Sequence, residues 1–210
     1  MGQVMAHAVG DSIPIVDWAV SGRALPGEPV SGDAHLVTRL PGGALVAVVD
    51  GLGHGPEAAE AARRAVAMMR AHAGAPVADI LLACHQELRK TRGAVISLAS
   101  LQPGIMTWLG VGNIEGLLFS VGPTGAPARE SLLLRSGVVG YQIPSLRPAS
   151  LQIHAGDTLV FATDGISSRF GDHVPLAGRP QEVADEVLRR YVKDTDDALV
   201  LVARYTGAQP

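Results

Sequence analysis

Short apolar runs bounded by glycine- or proline-containing turns recur along the chain. They predict β-strands over Ile15–Val20, Ala34–Arg39, Ala44–Val49, Ala94–Leu101, Ile105–Val111, Gly116–Val121, Leu132–Ser136, Thr158–Thr163 and Ala198–Tyr205. Several of the turns between them are too short for a crossover helix, which implies antiparallel pairing. A second pattern, with the spacing of a helix face, predicts helices over Pro56–His72, Val77–Leu88 and Gln181–Val192; in the first, Ala58, Ala62, Ala65, Val66 and Met69 share roughly one face. Runs such as "ALVAVV" and "TLVFAT" lack polar alternation, so both faces of those strands must be covered. Two consecutive helices cover one face, and a second sheet is the natural cover for the other. The expected fold class is α+β: a four-layer αββα sandwich of two mainly antiparallel sheets, with the Gln181 helix on the far side. The segment "PTGAPARES" reads as a mobile loop.

Composition narrows the function classes. With 210 residues, 47% hydrophobic and 18% charged, the chain has the material for one core, and 1–210 reads as a single domain. The net charge of -3 comes with basic residues scattered in pairs such as Arg63-Arg64 and Arg189-Arg190, and aromatics are only 4%. There is neither a basic stripe nor a stacking platform, so no nucleic acid is expected as a partner. No apolar stretch approaches the ~18 residues of a membrane span, and the first residues carry no basic-then-apolar leader. The single cysteine, Cys84, has no partner for an internal disulfide. These features together lead to the expectation of a cytoplasmic monomer that does not engage a membrane.

The candidate chemistry lies at strand ends. Asp50 follows "ALVAVV" and Asp164 follows "TLVFAT"; Asp33 and Asp196 stand where strands begin. In antiparallel neighbours the end of one strand lies beside the start of the next, so the four acids can gather on one edge. Each Asp-Gly alone is better read as a turn. Together they are harder to dismiss, because both pairs follow long apolar strands and the first is embedded in the glycines of "DGLGHG". Two carboxylates ~4 Å apart repel by about 4 kcal/mol at an effective dielectric of ~20. The chain has two lysines, and neither is taken as a neutralising partner, which leaves bound divalent cations. A carboxylate and carbonyl set favours Mg²⁺ or Mn²⁺ over zinc, and there is no CxxC pair or HExxH helix. Gly51 is expected to let its carbonyl approach a metal and to use backbone angles closed to other residues. Gly53 and Gly55 let the chain reverse into a helix opened by Pro56 and Glu57. His35 and His54 read as surface or hydrogen-bonded histidines, and Ser167 and Ser168 lack a nucleophile elbow.

Read in order, "VSGDAHLV", "VAVVDGLGHGPEAAEAA", "GVGNIEG", "GDTLVFATDGI" and "DDALVLVA" resemble the motifs of SpoIIE-type serine/threonine phosphatases, the bacterial branch of the metal-dependent (PPM) protein phosphatases. The segment "GRALPGEPVSGDAH", the "DGLGHG" variant and "GVGNIEG" look most like the RsbX-type stressosome phosphatases. The resemblance implies the αββα sandwich with two divalent cations, Mn²⁺ or Mg²⁺, between the sheets. Asp50 would bridge both, joined by the Gly51 carbonyl at one of them; Asp164 and Asp196 would hold the other metal; Asp33, also counted to the metal site, would orient metal-bound water, directly or from behind the ligands. Asp197 has no assigned role. It also implies hydrolysis of phosphoserine and phosphothreonine monoesters by in-line water attack, with phosphorylated STAS-domain proteins (RsbS/RsbR-like) of the stress response as substrates. The phosphate-gripping arginine of eukaryotic members has no clear counterpart; Arg23, ten residues before Asp33, is a candidate left unassigned. The alternatives are a catalytically inactive pseudo-phosphatase scaffold and a phosphohydrolase of small phosphate esters.

Overall fold

The computed structural model describes residues 13–121 and 127–207. Ten strands, β1 (Val16–Arg23), β2 (Asp33–Leu40), β3 (Gly43–Gly51), β4 (Ala94–Gln102), β5 (Ile105–Val111), β6 (Glu115–Val121), β7 (Pro127–Ser131), β8 (Ala149–Gln152), β9 (Thr158–Ala162) and β10 (Ala198–Tyr205), form two sheets. Their orders are β1-β10-β9-β6-β7 and β2-β3-β4-β5-β8, and every pairing is antiparallel. Helices α1 (Pro56–Ala71) and α2 (Val77–Glu87) cover the second sheet, and α3 (Pro180–Tyr191) covers the first. The expected four layers are the observed ones.

The unbroken apolar strands are explained by burial on two faces. Along β3, Ala44, Val46 and Val48 enter the layer between the sheets, whereas Leu45, Ala47 and Val49 face α1 and α2. Along β10, Leu199, Leu201 and Ala203 point inward, and Ala198, Val200 and Val202 meet α3. Period-two geometry makes each strand serve two cores. Helix α1 approaches its sheet closely because its buried face is mostly alanine, Ala58, Ala61, Ala62 and Ala65.

Two expectations change. The strand placed at Leu132–Ser136 lies earlier, at Pro127–Ser131, paired with β6. Half of the supposed mobile loop is therefore sheet, and its residues 123–126 lie outside the described residues. Leu132 is buried as a plug between the sheets, but Leu133 and Leu134 are exposed; an apolar run is not a strand when it finds no partner. Strand β8 had no signature because "ASLQ" is a short, largely exposed edge strand.

Phe161, fully buried in the layer between the sheets, should cost about 3–5 kcal/mol on Phe161→Ala in urea unfolding. Leu133→Ala, at a side chain 69% exposed, should stay within about 0.5 kcal/mol; equal losses would contradict this placement of the core.

Candidate active site

Strand β2 begins at Asp33 and β3 ends in Asp50-Gly51, and their register sets Asp33 opposite Asp50. In the other sheet β9 runs out into Thr163-Asp164-Gly165 beside the start of β10, which follows Asp196-Asp197 directly; the Thr163 N–H still bonds the Leu199 carbonyl at 3.0 Å. The ends and starts of these strands meet at one edge of the sandwich, as antiparallel order requires. The sheets are joined there by side chains. The Thr163 hydroxyl donates to Asp33 Oδ2 at 2.8 Å and accepts from the Leu199 N–H at 2.9 Å. Asp197 Oδ1 accepts from the Leu25 N–H and Oδ2 from the Gly32 N–H, both at 2.7 Å. Asp197, given no role from the sequence, thus ties the segment before β2 to the opposite sheet.

This edge is electrostatically strained. Asp33 is only 4% exposed, and its carboxyl is held well above the ordinary range by burial and then by Asp50, with Asp197 and Asp164 adding and the Thr163 hydrogen bond opposing. Burial pushes the Asp50 carboxyl up to about 8, followed by repulsion from Asp164, Asp196 and Asp197. Asp196 is raised by burial in the first place; the Asp197 N–H, 2.8 Å from its Oδ1, pulls the other way. The four acids named from the sequence therefore feel one another across both sheets.

A cleft of about 360 Å³ opens here, lined on one side by Asp50, Leu52 and Gly53, and on the other by Asn113, Asp164 and Asp196. Asn113 donates to Asp164 Oδ2 at 2.7 Å. The residue lies in "GVGNIEG" but had been given no task; its signal is a polar side chain in a glycine turn on the same sheet edge. Thr163 was also missed, although period two places it on the inner face with Leu159 and Phe161. Lys193 is a correction. It had not been taken as a partner of these acids, yet its Nζ donates to the Asp164 carbonyl at 2.6 Å, a contact that only the folded chain creates. Arg23 does not line the cleft; its Nη2 bonds the Lys193 carbonyl at 2.9 Å and Asp194 Oδ1 at 2.5 Å.

The glycine loop divides into two kinds of constraint. Gly53 and Gly55 have φ of 84° and 74°, the reversal expected of them, and Pro56 opens α1 with Glu57 in its first turn. Gly51 is different from the expectation: its φ is not positive. A side chain there would strike the Ala58 carbonyl of α1, and one at Gly165 would strike the Asp197 carbonyl. Both Asp-Gly pairs need glycine for close backbone packing beside the acids. His54 is largely exposed and bonds Glu28 Oε1 at 2.5 Å. His35 is half-buried, its ring tilted against that of Trp18 with centroids 5.8 Å apart, and burial lowers its pKa.

The sequence matches the family described as Stage II sporulation protein E (SpoIIE) over residues 41–206. The chain belongs to the SpoIIE family of PPM-type serine/threonine phosphatases. It is 24% identical over 181 residues to the phosphoserine phosphatase RsbX of Bacillus subtilis (strain 168), covering 84% of this chain and 87% of that protein. A solved chain from work on the bacterial stressosome, a modular system adapted to control secondary messenger signalling, is 35% identical, with a TM-score of 0.82 over 90% of this chain and 99% of that one. RsbX in complex with magnesium shares the fold at 22% identity, with a TM-score of 0.81 over 98% and 100% of the two chains.

The donors of this SpoIIE-family cleft suit a hard divalent cation. Among the described residues, the carboxylates of Asp50, Asp164 and Asp196 line it without cysteine, and no ammonium or guanidinium is bonded to their carboxylate oxygens. Among the described residues, no three His, Cys, Asp or Glu side chains stand ready-made as a metal cage. Asp164 is turned to Asn113 and Asp196 to a backbone N–H.

Between the ordinary carboxyl value of 3.8 and the folded value of about 8 for Asp50, the folded state holds a proton that the unfolded chain has released. Stability of the chelated protein therefore falls as pH rises across that window. The melting temperature of chelated protein should drop from about pH 5 to about pH 8. Asp50→Asn should flatten that drop and melt roughly 3 °C above wild type at the upper end. Parallel slopes in the two proteins would remove Asp50 as the source.

Proposed function

We propose that the chain is a metal-dependent phosphoserine/phosphothreonine protein phosphatase, RsbX-like, that dephosphorylates STAS-domain proteins of a stressosome by attack of activated water. The observation that carries this reading is the meeting of Asp33, Asp50, Asp164 and Asp196 at one edge of two sheets, buried enough to raise three of them. The substrate class is supported by the likeness to RsbX, named a phosphoserine phosphatase, and to a chain from stressosome work. Among the described residues no helix is long and apolar enough to cross a membrane, which suits action on a cytoplasmic phosphoprotein.

In this reading Asp50, the Gly51 carbonyl, Asp164 and Asp196 would hold two divalent cations, Mg²⁺ or Mn²⁺. When bound, such a pair neutralises the acids, draws charge from the phosphoryl oxygens and makes water a better nucleophile near neutral pH. The protein's own part is positional. Asp33 has Oδ2 fixed by Thr163, and Oδ1 is the oxygen left to accept a hydrogen bond from the attacking water and aim it. Asn113 fixes Asp164, and Lys193 braces the Asp164 backbone. Burial of Asp33 keeps competing solvent from its carboxylate, and in-line attack then depends on orientation that the rigid sheet ends supply.

Release of phosphate from a phosphorylated STAS protein in Mn²⁺ should be lost by more than about 100-fold in Asp50→Asn and Asp164→Asn, with circular dichroism unchanged. Asn113→Ala, one step removed from the proposed ligands, should lose roughly 10- to 100-fold in metal affinity or activity. Wild-type turnover of p-nitrophenyl phosphate alone would make the protein a small-ester phosphohydrolase, and turnover of neither substrate would make it a scaffold; each result overturns the proposal.

A further inference from the structure

The cleft has acidic walls, and a phosphomonoester brings a charge of about −2. A cationic side chain at the mouth would help to receive it beside the cations proposed above. Among the cations at this end, Arg23 bonds the Lys193 carbonyl and Asp194, and Lys193 bonds the Asp164 carbonyl. Arg92 is placed differently. Its turn is stapled to two segments beside the cleft: the Leu52 N–H bonds the Gly93 carbonyl at 3.1 Å, and Ala94 and Val139 exchange N–H···O bonds of 3.0 and 2.8 Å. Thr91 closes the turn, its hydroxyl donating to the Leu88 carbonyl at 2.8 Å and accepting from the Gly93 N–H at 3.0 Å. Leu52 and Val138, the immediate neighbours of these contacts, line the cleft.

The side chain leaves this rigid turn toward the glycine loop. A Cβ placed on Gly53, another lining residue, would come 2.7 Å from Arg92 Nη1, so the guanidinium lies directly over the loop that follows Asp50. Its Nη2 pairs with Glu57 in the first turn of α1; the two side chains are 50% and 70% exposed. Among the described residues no protein acceptor meets Nη1 or Nε. The result is a guanidinium anchored by a replaceable, solvent-exposed carboxylate, with donors to spare at the mouth of an acidic cleft.

We propose that Arg92 takes the phosphoryl oxygens of the substrate at the cleft mouth, a role that rests on the phosphatase reading above. A planar guanidinium matches phosphate oxygens two at a time, and its charge offsets the repulsion between the acid cluster and an arriving dianion. Gly53 keeps the path between guanidinium and cleft clear of side-chain atoms.

The test compares wild type, Arg92→Ala, Arg92→Lys and Glu57→Gln in Mn²⁺. It reads KM for a phosphopeptide, inhibition by inorganic phosphate, Mn²⁺ uptake by calorimetry and melting temperature. Arg92→Ala should raise KM and weaken phosphate inhibition by about 10-fold or more, with Mn²⁺ uptake unchanged, and Arg92→Lys should recover part of the loss. Glu57→Gln removes the same ion pair but leaves the guanidinium, and should hold phosphate inhibition within about twofold of wild type. Unchanged KM and phosphate inhibition in Arg92→Ala, or an equal loss in Glu57→Gln, overturns the assignment and leaves the phosphatase reading standing. Absence of both Mn²⁺ uptake and turnover in wild type strikes the phosphatase reading itself, and this assignment falls with it.

Discussion

A hydrogen bond from Thr163 to the buried Asp33 joins the two sheets at the edge where their acids meet. A carboxylate with so little access to water is costly unless its charge is shared or compensated. Here one oxygen is compensated by a hydroxyl, while the neighbouring acids make matters worse. The local structure follows from that constraint. Asp197 turns inward to satisfy the N–H groups of Leu25 and Gly32, Asn113 and Lys193 converge on Asp164, and the chain before β2 is drawn over the site. The strand ends bring a group of mutually repelling acids to one edge of the sandwich.

Close backbone packing is the second condition. Gly51 and Gly165 each follow a site aspartate, and each faces a carbonyl oxygen where any other residue would carry Cβ. The alanines of α1 continue the same theme, letting the helix settle against β2 and β3 and carrying the glycine loop to the cleft. The Gly53 position then accommodates the Arg92 guanidinium. Absence of side chains on one wall is what lets charged groups from distant segments share a small volume.

Much of the architecture was legible in the chain because two-sided burial leaves a plain trace. Continuous apolar runs in β3, β9 and β10, two consecutive amphipathic helices and a third near the end require four layers, and the layers are present. The errors fell where burial does not write a pattern. Strand β8 is an exposed edge, and β7 is defined by its pairing with β6 rather than by its composition. Leu132–Leu134 is apolar but only its first residue is buried.

The same division runs through the site. Alternation along the strands, by itself, sets Asp33, Asp50 and Thr163 on the inner faces and places the four acids at strand ends on one edge, because side-chain direction within a strand repeats every two residues. Asp164 and Asp196 lie just outside regular strand geometry, where that repeat no longer fixes direction. Their orientations, and the arrival of Asn113, Lys193 and Arg92, were decided by loops meeting across the sandwich. Hydrogen bonds between residues far apart in the chain depend on where separate elements come to rest, and no local pattern records that.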